Sequence, residues 1–237
     1  MFVNFTMNTQ MKINSYSTHT ELVMNHSVAN VLNPSFFENF SESIHKIDDR
    51  ANLIITGNGR FFSSGLDLFH INDFNHNEII EFMAHFEYML QSVIDRNGKT
   101  IASVNGHTVA GGFILASACD KVYCESGNYK LGMNEEKLGI KLPSLPQAII
   151  QCTFGDDMNK ILCNDDFYIA QEMNQFGHFT TQKITFEDIT KDKNRLERIQ
   201  LFMNTQREKQ MDIFLNSWFS EKSITARNTA VESLKKR

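Results

Sequence analysis

Short apolar blocks and longer amphipathic stretches alternate along the first two thirds of the chain. A period near 3.6 predicts two amphipathic helices, one over residues 36–47 and one over residues 78–95. Asn33 and Pro34 mark the start of the first helix, because asparagine caps a helix N-terminus and proline suits its first turn. Shorter runs without this period predict strands at residues 11–16, 21–24, 53–56, 101–104, 121–124 and 129–131.

This alternation of strands and helices predicts an α/β fold. From residue 148 onward the pattern is mainly helical, with a long mixed stretch at residues 194–219, a polar break inside it at residues 205–210, and a last helix at residues 223–236. We therefore expect a core domain over residues 1–175 and a C-terminal helical region over residues 176–237.

Composition narrows the class of protein. The chain has 237 residues, of which 41% are hydrophobic and 22% charged, values typical of a globular protein with a sizeable core. A net charge of −5 without a dominant basic face argues against nucleic-acid binding, and the lack of an apolar run of about 18 residues argues against a membrane partner. The four cysteines lack zinc-site spacing, so we expect free thiols, no metal site and a reducing compartment. We expect a cytoplasmic location, and a mitochondrial or peroxisomal location stays open.

The chemistry is concentrated between residues 101 and 143. A buried strand is followed by Gly111 and Gly112 and then by an apolar helix predicted over residues 113–118. This order places backbone N–H groups at the positive end of a helix, where an anion is stabilised. About twenty residues further on, Glu135 and Glu136 offer carboxylates in a mostly uncharged segment. An anion hole and a carboxylate base are the groups needed to remove a proton from a carbon next to a carbonyl.

A second glycine pair allows another interpretation. Gly57 and Gly59 follow a predicted strand, which is the context of a dinucleotide-binding fingerprint, but Phe62 stands where the third glycine belongs. We therefore expect a turn at this pair. In the loop that follows, Ser64 and Gly65 would allow the backbone to approach a bound molecule closely.

Four separated sequence motifs resemble those of the enoyl-CoA hydratase/isomerase, or crotonase, superfamily. They occur in the family's order and at about its intervals, and the resemblance covers residues 20–150 well. The motifs are FFSSGLDL at residues 61–68, VNGHTVAGG at residues 104–112, LASACD at residues 115–120, and LGI at residues 138–140 with Pro143.

The resemblance implies a spiral of ββα units with a C-terminal helical region, assembled as a homotrimer or a hexamer. It implies an acyl-CoA thioester substrate, without a separate cofactor, whose enolate oxygen accepts hydrogen bonds from the backbone N–H groups of Leu66 and Gly111. The substrate-binding residues implied by the same motifs are Ser64, Gly65, Leu66, Asp67, Leu68, Gly111 and Ile114.

The motifs also bear on the reaction. Hydratases of this family carry two catalytic glutamates, and here the first position holds Ile114 while the second holds Glu135. A single glutamate with an apolar partner is similar to the pattern of Δ3,Δ2-enoyl-CoA isomerases. The resemblance therefore implies transfer of a double bond from C3–C4 to C2–C3, with Glu135 as the catalytic base.

Several alternatives remain open at this point. Glu136 is one step away from the predicted base, and His107 is either a general acid or a structural residue of its loop. Within enzymes, hydration or decarboxylation of an acyl thioester would use the same anion hole. Outside enzymes, the chain could be an inactive acyl-CoA-binding homologue.

Overall fold

The computed structural model describes residues 11–163 and 166–236. Predictions for residues 1–10 lie outside these ranges. The strands are β1 (Lys12–Ser15), β2 (Thr20–Met24), β3 (Leu53–Gly57), β4 (Phe61–Ser63), β5 (Thr100–Val104), β6 (His107–Val109), β7 (Lys121–Cys124), β8 (Leu131–Gly132) and β9 (Phe179–Thr180). The helices are α1 (Pro34–His45), α2 (Leu68–Ile71), α3 (His76–Ile94), α4 (Gly111–Ala118), α5 (Ser144–Phe154), α6 (Met158–Leu162), α7 (Ala170–Met173), α8 (Lys193–Trp218) and α9 (Glu221–Lys235).

The strands form two sheets. The larger has the order β1-β2-β3-β5-β7-β9, with β1 antiparallel to β2 and every other pairing parallel. The smaller is a parallel sheet with the order β4-β6-β8. Successive strands β3, β5 and β7 are neighbours in the large sheet, and the strand that follows each of them joins the small sheet.

The strand pairs β3–β4, β5–β6 and β7–β8 are each followed by a helix, so the chain repeats a ββα unit that advances by one strand in both sheets. The predicted α/β spiral with C-terminal helices is thereby confirmed. The division into residues 1–175 and 176–237 stays a prediction, and β9 extends the large sheet beyond residue 176 by pairing with β7.

Local sequence signals explain where the main helices begin. The side chain of Asn33 accepts a hydrogen bond of 3.0 Å from Phe36 N at the start of α1, as the Asn-Pro pair predicts. A capping box formed by Asn75 and Glu78 starts α3. All eight residues of α4 are buried, so this helix lies in the core with no polar face.

The sequence pattern misplaces some boundaries. Helix α4 begins at Gly111, two residues before the predicted start, and α8 runs without interruption through the polar stretch at residues 205–210. Gly57 and Gly59 form a turn into strand β4, not into a helix, so a dinucleotide fingerprint at this pair is wrong and the expected turn is confirmed. The short strands β4 and β6 were not predicted.

The C-terminal helices return to the middle of the chain. Helix α8 lies along α5, and three hydrogen bonds fix it to residues 141–144, which lead into and begin α5. They are Ser144 Oγ to Arg207 O at 2.7 Å, Gln210 Nε2 to Leu142 O at 2.8 Å, and Lys141 N to Ser217 Oγ at 2.9 Å. Helix α9 then reaches α2. Among the described residues, no helix is long and apolar enough to cross a membrane.

Candidate active site

Three predicted site residues follow the three strands of the small sheet. Leu66 comes three residues after β4, Gly111 two residues after β6, and Glu135 three residues after β8. These strands are parallel neighbours, so their carboxyl ends lie at one edge of the sheet, which is where ligands bind in open α/β sheets. The topology therefore brings together residues that are far apart in the sequence.

Gly65 allows two of these segments to touch through their backbones. A β-carbon on Gly65 would lie 2.8 Å from Ala110 Cβ and 3.1 Å from Gly111 N, and its φ of +88° suits glycine. The carbonyl of Gly65 accepts a hydrogen bond from Leu32 N at 2.9 Å, which fixes the loop from the other side. The peptide that carries the Leu66 N–H is thus held directly beside the start of α4.

The first backbone N–H group of α4 is available for hydrogen bonding to a ligand. Ala110 precedes the helix with φ 52° and ψ −127°, a conformation that costs a non-glycine residue about 1–3 kcal/mol, and it provides no side-chain cap. Among the described residues, the N–H groups of Leu66 and Gly111 donate to no acceptor. Unpaired amides at a positive helix end are suited to binding an oxyanion.

Close packing and a partly buried cation hold α4 in place. A β-carbon on Gly112 would lie 2.6 Å from both Ser63 Cβ and Ser63 O, so the helix presses directly against the end of β4. At the other end of α4, the Arg195 guanidinium donates hydrogen bonds to the carbonyls of Ser117, Ala118 and Cys119. Burial lowers the pKa of this guanidinium. Its charge lies at the negative end of the helix, where a cation is favourable.

Glu135 lies in a tight loop between β8 and α5. The loop is closed by backbone hydrogen bonds, including Ile140 N to Glu135 O at 2.9 Å. The Glu135 side chain is half-buried and accepts the N–H of Asn134 at 2.9 Å through Oε2. Loss of hydration raises the pKa of Glu135 to about 7, while the Asn134 N–H acts in the opposite direction. A carboxyl with this pKa is suited to accept and return a proton near neutral pH.

The neighbouring carboxylate has a different environment. Glu136 forms a salt bridge with Lys141. Glu135, in contrast, lines the cavity described next. The geometry therefore favours Glu135 over Glu136 as the carboxylate available to a ligand.

One cavity of about 670 Å³, its open mouth included, joins these groups. We call Leu66, Gly111 and Glu135 the reacting end of the cavity. Leu66 and Glu135 are partly exposed. Five lining side chains on α2, α3 and α8 are at most 1% exposed, and we call them the closed end: Ile71, Met83, Phe86, Phe214 and Trp218. An apolar cavity with a few polar groups at one end is typical of a small-molecule site.

Six of the eight predicted site residues line this cavity: Ser64, Leu66, Leu68, Gly111, Ile114 and Glu135. The other two support the loop instead, since the side chain of Asp67 accepts the N–H of His70 at the start of α2 and Gly65 makes the close approach described above. His107 Nδ1 accepts the N–H of Lys130 at 3.1 Å, away from the lining.

The closed end was not predicted from the sequence. Met83 and Phe86 belong to an apolar helical stripe, and such a stripe does not distinguish core packing from a cavity wall. Phe214 and Trp218 come from the C-terminal region, where the family resemblance is loose. The buried face of α8 contains few residues, so its hydrophobic pattern gives little signal.

Comparison with known proteins identifies the class to which this fold and site belong. A sequence model described as enoyl-CoA hydratase/isomerase matches residues 17–221, well over half of the chain. The protein therefore belongs to the enoyl-CoA hydratase/isomerase family of the crotonase superfamily.

Individual relatives carry both isomerase and hydratase names. The chain is 32% identical over 108 residues to the peroxisomal enoyl-CoA delta isomerase 2 of Arabidopsis thaliana, covering 44% of this chain and 45% of the relative. It is 32% identical over 123 residues to a probable enoyl-CoA hydratase of Bacillus subtilis, covering 50% of this chain and 47% of the relative. The aligned stretches thus span under half the length of these curated relatives.

Among solved structures, the fold is similar to that of human mitochondrial Δ3-Δ2-enoyl-CoA isomerase. The TM-score is 0.81 at 19% sequence identity, and the match covers 96% of this chain and 98% of the human chain. At this identity the likeness shows the fold alone.

Proposed function

We propose that the protein is a Δ3,Δ2-enoyl-CoA isomerase that moves the double bond of a 3-enoyl-CoA thioester to the 2-trans position. One observation carries this proposal: a single half-buried carboxyl, Glu135, lines the same apolar cavity as two unpaired backbone amides, while Ile114 occupies the place of a second carboxyl. The isomerase name of the Arabidopsis relative supports the same choice.

The chemistry follows from these groups. The thioester oxygen accepts hydrogen bonds from the N–H groups of Leu66 and Gly111, which acidifies the protons on C2. Glu135 removes one of them, and the electron pair delocalises over C2, C3, C4 and the oxygen as a dienolate. The same carboxyl then returns the proton at C4, which leaves the double bond between C2 and C3. Each amide donor is worth about 3–4 kcal/mol of barrier in related oxyanion sites.

Exclusion of water separates this reaction from hydration. Adding water to a 2-enoyl thioester requires a group that orients the water molecule, and Ile114, which is 2% exposed, has no polar atom to do so. The raised pKa of Glu135 makes its ionised form a stronger base, which takes the proton from C2 and carries the same proton to C4.

The decisive experiment compares two adjacent glutamates. Purified protein should convert 3-hexenoyl-CoA into the conjugated 2-hexenoyl thioester, which is followed by its ultraviolet absorbance. Glu135→Gln should lower kcat by about a thousandfold, within the range measured for loss of a general base. Glu136→Gln removes a carboxylate one residue away and should leave kcat within about twofold, because exposed ion pairs contribute little.

Two outcomes would contradict the proposal. Equal activity of Glu135→Gln and the wild type would remove the assigned base. Hydration of crotonyl-CoA at a rate comparable with isomerisation would show that the Ile114 side of the cavity admits an ordered water, and would make the protein a hydratase.

A further inference from the structure

The closed end consists of fully buried side chains that line the same cavity as the groups that would perform the chemistry. Its lining residues come from three helices, with Ile71 on α2, Phe86 on α3 and Trp218 at the end of α8. All three are 1% exposed or less, whereas Leu66 and Glu135 at the reacting end are partly exposed. A bound thioester with its carbonyl at Leu66 and Gly111 would therefore extend its acyl tail towards these buried side chains.

Trp218 is held more firmly than an ordinary lining residue. The guanidinium carbon of Arg227 lies 3.8 Å from the centroid of the indole ring, and Phe214 contacts the same ring with a centroid distance of 5.8 Å. Cation–π contacts of this kind are strongest where both groups are removed from water, and here Trp218 is 1% and Arg227 2% exposed.

Arg227 in turn is fixed by the elements around the closed end. Its guanidinium donates hydrogen bonds to Asn72 O at 2.9 Å, Asn72 Oδ1 at 3.2 Å and Trp218 O at 3.0 Å, and Nε donates to Ser223 Oγ at 3.4 Å. Asn72 ends α2, so this one side chain links α2, α8 and α9. These hydrogen bonds hold the guanidinium in place, so moving the indole aside would break its cation–π contact with a fixed, buried cation, which is unfavourable.

We propose that Trp218 is the specificity-determining residue that limits acyl-chain length, so that the enzyme acts on short- and medium-chain 3-enoyl thioesters, and that Arg227 is the positioning residue that holds Trp218 in place. The proposal rests on the function proposed above and adds the class of substrate. Each methylene group that enters an apolar pocket improves binding by about fourfold, until the tail reaches a wall that does not move.

The first test measures kcat/KM for 3-hexenoyl-, 3-octenoyl-, 3-dodecenoyl- and 3-hexadecenoyl-CoA. For the wild type, kcat/KM should rise from hexenoyl to octenoyl and fall at least tenfold by dodecenoyl. In Trp218→Leu, the ratio of kcat/KM for dodecenoyl to that for hexenoyl should increase about tenfold or more. Phe179→Leu is the matched control, because Phe179 is an equally buried aromatic residue outside the cavity lining. It should leave this ratio unchanged even if it lowers the melting temperature.

The second test uses fluorescence, because Trp218 is the sole tryptophan of the chain. Its emission should be blue-shifted and resist quenching by acrylamide in the wild type. Arg227→Met should make the emission more quenchable and raise the dodecenoyl-to-hexenoyl ratio. Arg227→Lys, which keeps the charge, should restore part of both properties. A change in stability without a change in quenching or in the ratio would make Arg227 merely structural and overturn its assignment.

The outcomes also separate this proposal from the proposed function. Isomerisation of hexadecenoyl-CoA as efficient as that of octenoyl-CoA would overturn the role of Trp218 while leaving the isomerase assignment intact. If no enoyl thioester is turned over, titration with saturated octanoyl- and palmitoyl-CoA still tests the closed end. Tight binding of octanoyl-CoA with altered Trp218 emission, and weak binding of palmitoyl-CoA, would support the length limit in a protein that is not an isomerase, and equal binding of both would refute it.

Discussion

The two ends of the cavity differ in the groups that line them. At the reacting end, Leu66 and Gly111 present backbone N–H groups, and Glu135 is the one side chain to which we assign a chemical role. At the closed end the wall consists of large apolar side chains, and Phe214 and Trp218 come from a helix far along the sequence. Backbone groups keep their positions when side chains vary, whereas side chains define shape. The reacting end is therefore suited to one kind of chemistry, and the closed end to selecting among substrates.

The largest expected effect comes from separating the two amides. In Gly112→Ala, the new β-carbon would lie 2.6 Å from Ser63 O, so α4 must move away from the end of β4 that leads to Leu66. Loss of one oxyanion donor typically costs about a hundredfold to a thousandfold in kcat. Steady-state kinetics with 3-hexenoyl-CoA should show this loss in kcat more than in KM.

Gly111→Ala is the informative comparison for that variant. Its β-carbon would meet Leu32 Cδ1 at 3.0 Å and Leu66 Cδ2 at 3.3 Å, which are the ends of flexible side chains. We expect a loss of less than about tenfold, since these side chains can shift while the N–H group stays. Equal losses in the two variants would show that the packing of α4 against β4 does not position the amides.

A smaller effect concerns the stability of the reacting end. The pKa of Glu135 is raised to about 7, so the folded protein binds a proton there more tightly than the unfolded chain does. The free energy of unfolding should therefore fall as the pH rises from about 4.5 through 7, because the ionised carboxylate is disfavoured in the folded state. Glu135→Gln removes this penalty and should stabilise the protein above pH 7 by about 3 kcal/mol, and by much less near pH 4.

Urea denaturation at several pH values measures this difference directly. In the same series, kcat/KM of the wild type should rise with pH through about 7 as Glu135 becomes able to accept a proton. A stability difference between Glu135→Gln and the wild type that does not depend on pH would show that Glu135 is not desolvated.

The smallest expected effect lies on the helix that supplies Met83 and Phe86 to the closed end. Asn75 caps α3 and accepts hydrogen bonds from Asn77 N at 2.9 Å and Glu78 N at 3.2 Å. Asn75→Ala should lower the free energy of unfolding by about 1 kcal/mol, the usual cost of losing such a cap. Turnover of 3-hexenoyl-CoA should stay within about twofold, since the reacting end does not contact this cap. A large loss of turnover would mean that the two ends are coupled through α3.

The sequence predicts the reacting end of the cavity better than the closed end. Glycine pairs, the Asn33 cap and the apolar strands of the large sheet leave local signals, so the α/β order and the position of Gly111 could be predicted. The short strands β4 and β6 could not, because three residues are too few to show a period. It is the pairing of β4, β6 and β8 that places Leu66, Gly111 and Glu135 at one edge.

The closed end depends on contacts that no local pattern specifies. Trp218 reaches the cavity because α8 lies along α5, and Arg227 reaches Trp218 because α9 turns back to α2. Both are long-range tertiary contacts. The motif resemblance is enough to propose the chemistry at the reacting end, whereas the three-dimensional packing is needed to propose a limit on the substrate.

The cation at the far end of α4 has a consequence for comparing natural variants of this protein. Helix α4 is about 12 Å long; Arg195 donates to the carbonyls at one end, and the unpaired Gly111 amide lies at the other, where we propose that the substrate oxygen binds. A survey restricted to positions that touch substrate would pass over the first turn of α8. We expect replacements there to alter turnover from a distance, so genetic variation at residue 195 belongs with that of the cavity when functional alleles are sorted from silent ones.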